Sequence, residues 1–184
     1  KSIKSLKNFW LIDPIDGTKE YIAGRDEYTL NAGLIYEKRP VLGIIGVPKK
    51  NKIFYSYGQN NSYLLKNEKI TKLACEKKTP KGKIIALTNH ENPPELILNK
   101  LKEFKVSSFR KLSSSYKYCL IAAGEYDLYL DKVRAKEWDD AAGHAIAEGA
   151  GALVTSLEKE TFEYGKEDYK NPTIMIRRNK NLND

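Results

Sequence analysis

The sequence contains little cysteine and no long apolar run. Its two cysteines, Cys75 and Cys119, lie far apart without the spacing of a metal site. They predict reduced thiols rather than a disulfide framework. No apolar run approaches the ~20 residues of a membrane span. The basic residues 1–7 precede only a short apolar patch, unlike a secretory signal. We therefore expect a cytoplasmic chain without a membrane span, with peripheral contact to the cytoplasmic membrane face left open.

Several well-known catalytic patterns are also missing. The sequence has no P-loop, no dinucleotide-binding fingerprint and no Ser-His-Asp arrangement. Its 184 residues, 41% hydrophobic and 30% charged, are typical of a soluble globular protein with one large domain or two small lobes. The net charge of +8 comes from scattered lysines without an arginine-rich or recognition motif. We therefore expect no nucleic-acid partner.

The first half of the chain predicts an antiparallel meander. A short apolar strand at residues 9–12 is followed by β-prone segments at residues 28–36, 41–47 and 53–57, which turn signals separate. Residues 62–65 and 69–73 add two weaker strands. We predict one sheet lobe over residues 1–80.

The second half alternates strands with helices. Strands are predicted at residues 83–87, 106–109, 126–130, 152–155 and 173–176, and helices at residues 94–104, 114–123 and 138–148. Such alternation indicates βαβ units and a mostly parallel sheet. We predict an α/β lobe over residues 81–184, so the chain as a whole is α+β or α/β.

Two carboxylates follow the first apolar run closely in the stretch WLIDPIDGTKEY. Pro14 disfavours helix at Asp13, which predicts a strand that ends in a turn, and Gly17 permits tight backbone geometry there. Asp13 and Asp16 can then converge on one point. The helical turn that begins near Thr18 offers free N–H groups suited to a phosphate, and carboxylates beside an anion site suit Mg²⁺. The alternative is an Asx-turn in which Asp16 only caps a helix.

A second acidic motif lies in the stretch EWDDAAGHAIAEGAG. Asp139 comes at a helix start, where an acid can either cap the helix or bind a cation. The small residues at positions 141, 142, 143 and 145 allow this helix to pack closely on a neighbour. His144 lies inside the helix and is read as a packed or hydrogen-bonded histidine rather than a ligand.

A third candidate site is the serine-rich helix start in KLSSSYKYCLIAAGEYDLYL. Ser114 and Ser115 offer hydroxyls and backbone N–H groups, and Lys117 follows them closely. This combination indicates a second anion site. The alternative is an ordinary serine cap.

The motifs DPIDGTKEY and WDDAAGHA, in this order, resemble the inositol monophosphatase superfamily of Mg²⁺-dependent, lithium-sensitive phosphatases. Within it, the stretches FWLIDPIDGTKEYI, SSSYKYCLIAAGEYDLYL and EWDDAAGHAIAEGAGA are similar to the CysQ-type 3′(2′),5′-bisphosphate nucleotidases. The resemblance runs from Phe9 to about Thr155. It implies the layered sandwich of that superfamily, an antiparallel meander followed by an α/β half.

The resemblance also implies roles for individual residues. Asp13, Asp16, Asp139 and the backbone carbonyl of Ile15 would hold two or three Mg²⁺ ions. Thr18 would orient the attacking water and act with Asp16 as the catalytic pair.

Substrate contacts follow from the same resemblance. Gly17 and Thr18 would present backbone N–H groups to the phosphate, next to Asp139. Ser114, Ser115 and Lys117 would contact the nucleotide or its second phosphate.

The implied activity is a metal-dependent phosphomonoesterase. It would remove the 3′-phosphate of 3′-phosphoadenosine 5′-phosphate, or of a related small phosphorylated substrate, by in-line attack of a metal-activated water without a covalent intermediate. Inositol 1-phosphate and fructose 1,6-bisphosphate are alternative substrates. The alternative from another class is an inactive basic fragment that binds nucleotide or nucleic acid through Tyr55, Tyr57 and Tyr63. A homo-oligomer is left open.

The sequence departs from the family pattern ahead of Asp13. Family members carry helices and a metal-binding glutamate there, whereas residues 1–12 contain no acid. Ser113 replaces the usual glycine of the branch, and the stretches DKVRAKEW and LTNH replace other usual motifs. We therefore expect an N-terminally incomplete chain, either a piece of a longer protein or an altered copy.

The missing glutamate predicts that the 184-residue chain alone is a poor catalyst, because a carboxylate lost from a hard-cation site lowers Mg²⁺ affinity. Missing helices would also leave an apolar face of the meander exposed. The reading frame upstream of Lys1, or the N-terminal mass of the native protein, tests this expectation. Enzyme-like turnover of a bisphosphate nucleotide by a native protein that begins near Lys1 would contradict the metal-site assignment.

Overall fold

The first sheet is an antiparallel meander. The structure is a computed structural model that describes residues 7–75, 82–131, 135–179 and 182. A short helix, α1 (Thr18–Ile22), follows the first strand. The six strands pair in chain order: β1 (Asn8–Asp16), β2 (Thr29–Tyr36), β3 (Arg39–Val47), β4 (Lys52–Ser56), β5 (Ser62–Lys66) and β6 (Lys69–Leu73).

The second sheet has five strands in the order β10-β11-β9-β7-β8. Its strands are β7 (Ile84–Thr88), β8 (Val106–Lys111), β9 (Leu128–Leu130), β10 (Leu153–Ser156) and β11 (Ile174–Arg177). The helices of this half are α2 (Glu95–Glu103), α3 (Tyr116–Ala122) and α4 (Glu137–Gly149). No helix within the described residues is long and apolar enough to cross a membrane.

The predicted fold class is confirmed, but the prediction of a mostly parallel second sheet is wrong. β7 pairs in parallel with β8 and β9, whereas β11 runs antiparallel to both β9 and β10. The chain returns from β10 to β11 through residues 157–173 without a helix. Without a crossover helix the returning strand lies antiparallel to its predecessor. The sheet is therefore mixed.

The first strand is longer than its apolar run predicted. β1 continues through Asp13 to Asp16, and its pairing with β2 shifts register between these two residues. The irregularity coincides with Pro14, which has no N–H to donate to a ladder. A bulge of this kind bends a strand and turns its side chains in a new direction. Here it lets both carboxylates stay on the strand.

Helices α3 and α4 lie between the two sheets. One core cluster joins side chains of the first sheet, both helices and the second sheet, including Phe54, Tyr118, Ile146 and Ile176. A second cluster packs α2 on the other face of the second sheet. The predicted boundary between residues 80 and 81 stays a prediction.

The first sheet contacts α4 very closely. A Cβ atom built on Gly43 would lie 2.2 Å from the Ala142 carbonyl oxygen, and one built on Gly33 would lie 2.8 Å from the Ala141 Cβ. The helix therefore meets the sheet where both surfaces carry the smallest side chains, as the small residues of its motif predicted. This close approach fixes the position of the N-terminus of α4 relative to β1.

Gly43→Ala should destabilise the chain strongly, because a methyl group there overlaps the backbone of α4. Overpacking of a tight interior typically costs about 1–3 kcal/mol in the free energy of unfolding. Gly46→Ala on the same strand is the matched control, since its nearest contact would be an ordinary 3.9 Å. Urea unfolding should separate the two variants. Equal unfolding midpoints would contradict the close packing of α4.

Candidate metal and phosphate site

Three carboxylates from the two acidic motifs meet at one point. Asp13, Asp16 and Asp139 each offer an oxygen, and these oxygens lie within 4.8 Å of one another. The first two come from the end of β1 and the third from the first turn of α4. Two segments more than 120 residues apart therefore build one acidic cluster.

The loop after β1 is held by its own backbone. The Asp13 Oδ1 accepts the Ile15 N–H at 3.0 Å, which is an Asx-turn, and Gly17 adopts the left-handed conformation with φ 80°. Helix α1 has no side-chain hydrogen bond at its cap. The alternative in which Asp16 only caps a helix is therefore wrong. The turn belongs to Asp13, and Asp16 points elsewhere.

The Asp16 carboxylate is held from the start of α3. Its Oδ2 accepts the Ser115 backbone N–H at 2.5 Å and lies 2.5 Å from the Ser115 hydroxyl oxygen. The Thr29 hydroxyl lies further away, at 3.5 Å. The carboxylate is thus fixed by a residue that is 99 positions away in sequence.

Asp139 caps its helix and also belongs to the acidic cluster. Its Oδ2 accepts the Lys136 backbone N–H at 2.8 Å, so it closes a capping box at the start of α4. The same side chain is a member of the acidic cluster. A helix cap and a cation ligand are therefore compatible here.

Burial and mutual repulsion weaken the acidity of the cluster. Desolvation, together with the charges of Asp16 and Asp140, raises the pKa of Asp139 to about 7. Burial is also the main cause that raises the pKa of Asp13, against the lowering effect of the Ile15 N–H. A divalent cation would remove this repulsion, and carboxylate oxygens are the ligands that Mg²⁺ prefers. The residues present fit a hard cation.

A cavity of about 270 Å³ opens beside the cluster. Helix α1 begins at the edge of this cavity. Its first helical hydrogen bonds are donated by Glu20 and Tyr21 to the Gly17 carbonyl, so the N–H groups of Thr18 and Lys19 come before them. The lining residues are Asp16, Gly17, Thr18, Lys19, Asn89, Ser113, Lys117, Tyr129, Ala135, Asp139, Asp140 and Ile174. The cavity therefore brings carboxylates, free helix-start donors and a lysine together.

The serine-rich segment reaches this cavity unevenly. Lys117 lines it while remaining 5% exposed, with its Nζ near the rings of Tyr118 and Tyr129. Ser114 and Ser115 are fully buried, and the Ser114 hydroxyl donates to the Glu27 carbonyl. Both hydroxyls thus already contact acceptors of the protein.

Sequence reasoning missed the partners of several buried polar groups. Asp127 pairs with Arg178 at 2.7 Å, and Asp131 accepts the His90 N–H at 3.0 Å. Asp140, next to a recognised acid in the motif, is buried and accepts the Tyr118 hydroxyl at 2.8 Å. Only the topology of the sheets brings these partners together.

His144 is a packed histidine, as its position inside a helix predicted. It has no exposed surface, and its Nδ1 lies 3.0 Å from the Tyr164 hydroxyl oxygen. Its Nε2 lies 3.1 Å from Glu148. Both ring nitrogens therefore have protein neighbours.

Solved structures share this architecture. The chain superposes on CysQ from Bacteroides thetaiotaomicron, a bacterial member of the inositol monophosphatase family, with a TM-score of 0.85 and 30% identity. The match covers 96% of this chain and 73% of that structure. A dual-specific IMPase/NADP phosphatase shares the fold with a TM-score of 0.78 at 19% identity, covering 95% of this chain and 65% of that one.

The fold and the acidic cluster define a phosphatase of the metal-dependent class. More particularly, the chain belongs to the inositol monophosphatase family, whose profile matches residues 1–184. The 3′(2′),5′-bisphosphate nucleotidase CysQ of Salmonella typhimurium is 34% identical over 173 residues, which are 92% of this chain and 68% of that protein. A 3′(2′),5′-bisphosphate nucleotidase of Dictyostelium discoideum is 29% identical, covering 100% of this chain and 61% of its own length.

The acidic cluster predicts how the stability of the metal-free chain depends on pH. Asp139 has a pKa of about 7 when folded, against 3.8 ordinarily. The folded chain binds the Asp139 proton more tightly than the unfolded chain does. Protonation of Asp139 therefore stabilises the folded chain fully below about pH 4, and this stabilisation is lost as the pH rises towards 7. We expect the melting temperature in EDTA to fall between about pH 5 and pH 8, and Mg²⁺ to raise it most at pH 8.

Asp139→Asn provides the control, since the amide does not titrate. Its melting temperature in EDTA should fall less steeply over the same pH range, and Mg²⁺ should raise it less. Identical pH profiles for the two chains, with and without Mg²⁺, would contradict the electrostatic account of the cluster.

Proposed function

We propose that this chain is the catalytic part of a Mg²⁺-dependent phosphatase that removes the 3′-phosphate of 3′-phosphoadenosine 5′-phosphate or a related bisphosphate nucleotide. The observation that carries this proposal is the meeting of three carboxylates, Asp13, Asp16 and Asp139, of which the last two line one cavity. The names of the relatives from Salmonella typhimurium and Dictyostelium discoideum support the choice of substrate class.

The cation would be held by Asp13, Asp16, Asp139 and the backbone carbonyl of Ile15. When bound, Mg²⁺ supplies Lewis-acid polarisation of the phosphate and acidifies a water molecule. Two or three ions are proposed, as the resemblance to the family implies. The residues of the chain then have to position the phosphate and the water.

Positioning of the reacting groups is assigned to the turn at the start of α1. Gly17 and Thr18 would donate backbone N–H groups to phosphate oxygens, beside Asp139. The Thr18 hydroxyl, on an exposed residue at the cavity wall, would orient the attacking water together with Asp16. Orientation of a nucleophile in line with the leaving group is a large part of phosphoryl-transfer catalysis.

Recognition of the rest of the substrate is assigned to the start of α3. Lys117 is a buried cation that lines the cavity, and this arrangement supports a contact with a second phosphate. Ser114 and Ser115 remain proposed substrate contacts, because they lie next to Lys117 at the start of α3. A bisphosphate nucleotide suits such a site better than a substrate with one phosphate. A cytoplasmic location and a homo-oligomeric state stay predictions.

One observation favours a second candidate, a basic module that binds nucleic acid without catalysis. Tyr63 stacks on Tyr55 and Tyr57, with ring centroids 5.3 and 5.6 Å apart, and its strand neighbour is Lys72. Aromatic side chains beside lysines can stack bases of single strands. This candidate leaves the acidic cluster without a function, so we place it second.

Phosphate release tests the first proposal directly. In a chain with the missing N-terminal segment restored, we expect 3′-phosphoadenosine 5′-phosphate to be hydrolysed faster than inositol 1-phosphate or fructose 1,6-bisphosphate in Mg²⁺, and none of them in EDTA. Equal turnover in EDTA would contradict the metal mechanism, and a preference for inositol 1-phosphate would contradict the substrate assignment. Binding of single-stranded RNA at physiological salt in EDTA, without hydrolysis, would favour the second candidate.

In the complete enzyme, with the missing N-terminal segment restored, Asp139→Asn should lower kcat far more than it lowers stability. We expect at least the ~10–100-fold loss that follows even indirect disturbance of a metal site. Glu103→Gln makes the same carboxylate-to-amide change on the exposed surface of α2 and should leave kcat unchanged. Equal kcat values for the two variants would remove Asp139 from the catalytic site.

A further inference from the structure

We propose that Ser115 and Asn31 are positioning residues, which fix the orientation of the Asp16 carboxylate for the cation. This inference rests on the proposed function, because it assigns how one metal ligand is held. It gives Ser115 a different role from the substrate contact considered above. The argument follows from burial and from the donors around one oxygen atom.

Ser115 makes two contacts with the same carboxylate oxygen. Its backbone N–H donates to Asp16 Oδ2 at 2.5 Å, and its hydroxyl oxygen lies 2.5 Å from the same atom. The residue has no exposed surface. A substrate that enters the cavity would have to displace the carboxylate before it could reach this hydroxyl. The contacts therefore indicate a role that is directed at Asp16.

The Ser115 hydroxyl has one proton and several neighbours. The Asp16 carboxylate and the Asp139 backbone carbonyl are both close acceptors. The Asn31 Nδ2 donates to the hydroxyl oxygen at 3.0 Å. Because Asn31 supplies a proton from the third side, the hydroxyl has to donate its own proton to one of the two acceptors. The Asn31 amide thus directs the hydroxyl proton towards the cluster.

Asn31 is placed for this task, because the described residues give its side chain no hydrogen bond other than the one to Ser115. It lies on β2 opposite Asp13 and is 3% exposed. Its Oδ1 has no hydrogen-bond partner within the described ranges. A buried amide that leaves its oxygen unpaired is costly, which makes the single bond to Ser115 the reason for its orientation. If the Asn31 amide were flipped, its Oδ1 would face the Ser115 hydroxyl, which would then have three acceptors for its one proton.

The consequence concerns the other oxygen of Asp16. The Ser115 N–H donates to Oδ2 and the Ser115 hydroxyl lies against the same oxygen, while no hydrogen bond to Oδ1 is seen in the part of the chain that the structure describes. The carboxylate is thus tied at one oxygen and leaves the other available to a cation. Groups that orient a metal-binding carboxylate in this way typically change metal affinity about 10–100-fold when they are removed.

Titration with Mn²⁺ alone tests the inference in the full 184-residue chain without substrate. Ser115→Ala should weaken Mn²⁺ affinity about 10–100-fold, and Asn31→Ala should weaken it in the same direction by less, since the Ser115 hydroxyl itself remains beside Asp16. Ser62→Ala is the matched control, because this equally buried hydroxyl donates to the Ile146 carbonyl at 2.6 Å instead. It should leave Mn²⁺ affinity unchanged.

Kinetics separate this inference from a direct substrate contact. For Ser115→Ala we expect a higher Mg²⁺ concentration for half-maximal activity, with KM unchanged at saturating Mg²⁺. A raised KM with unaltered Mn²⁺ affinity would overturn the inference and assign Ser115 to the substrate. If Ser115→Ala does not fold, Asn31→Ala decides. An Mn²⁺ affinity of Asn31→Ala equal to that of the Ser62→Ala control would also overturn the inference.

The Mn²⁺ titration tests the role of Ser115 independently of the proposed substrate. Weaker Mn²⁺ binding by Ser115→Ala, together with no hydrolysis of 3′-phosphoadenosine 5′-phosphate by a chain with the missing N-terminal segment restored, would support the positioning role while contradicting the substrate. No Mn²⁺ binding by the unaltered chain would contradict both.

Discussion

Asp13, Asp16 and Asp139 are three acids whose oxygens lie within 4.8 Å of one another, and charges of like sign at this spacing repel. Burial adds to the cost, as the raised pKa values of Asp13 and Asp139 indicate. The fold offsets this cost locally with backbone donors, which bind Asp13 in an Asx-turn and Asp139 in a capping box. A divalent cation would offset the remainder, and under the proposed function the rest of the architecture has to hold the cluster ready for it.

The architecture around the cluster follows from this requirement. Asp139 reaches β1 only because α4 lies almost in backbone contact with the first sheet, where Gly43 leaves room for the Ala142 carbonyl. Ser115, at the start of α3, then donates its backbone N–H to the Asp16 carboxylate. Packing, caps and hydrogen bonds therefore converge on one point, and Lys117 of α3 lines the cavity beside it.

The sequence predicts those features of the fold and of the candidate site that depend on residues close to one another in the chain. The two acidic motifs, the meander and the helix of small residues were readable from spacing and turn signals, and the fold class is confirmed. The strand that ended at residue 12 in the prediction continues to Asp16, because Pro14 interrupts the pairing without ending it. The direction of β11 and the contact of Asn31 with Ser115, 84 residues away, depend on tertiary topology, which spacing in one sequence does not encode.

Crystals of this chain grown with Mn²⁺ and inorganic phosphate would test the central claim most directly. Anomalous diffraction at the manganese edge should show density between the carboxylates of Asp13, Asp16 and Asp139, with phosphate against the start of α1. Asp139→Asn should reduce that density under the same conditions. Manganese density elsewhere on the chain, with the three carboxylates bound only to water or to each other, would contradict the account.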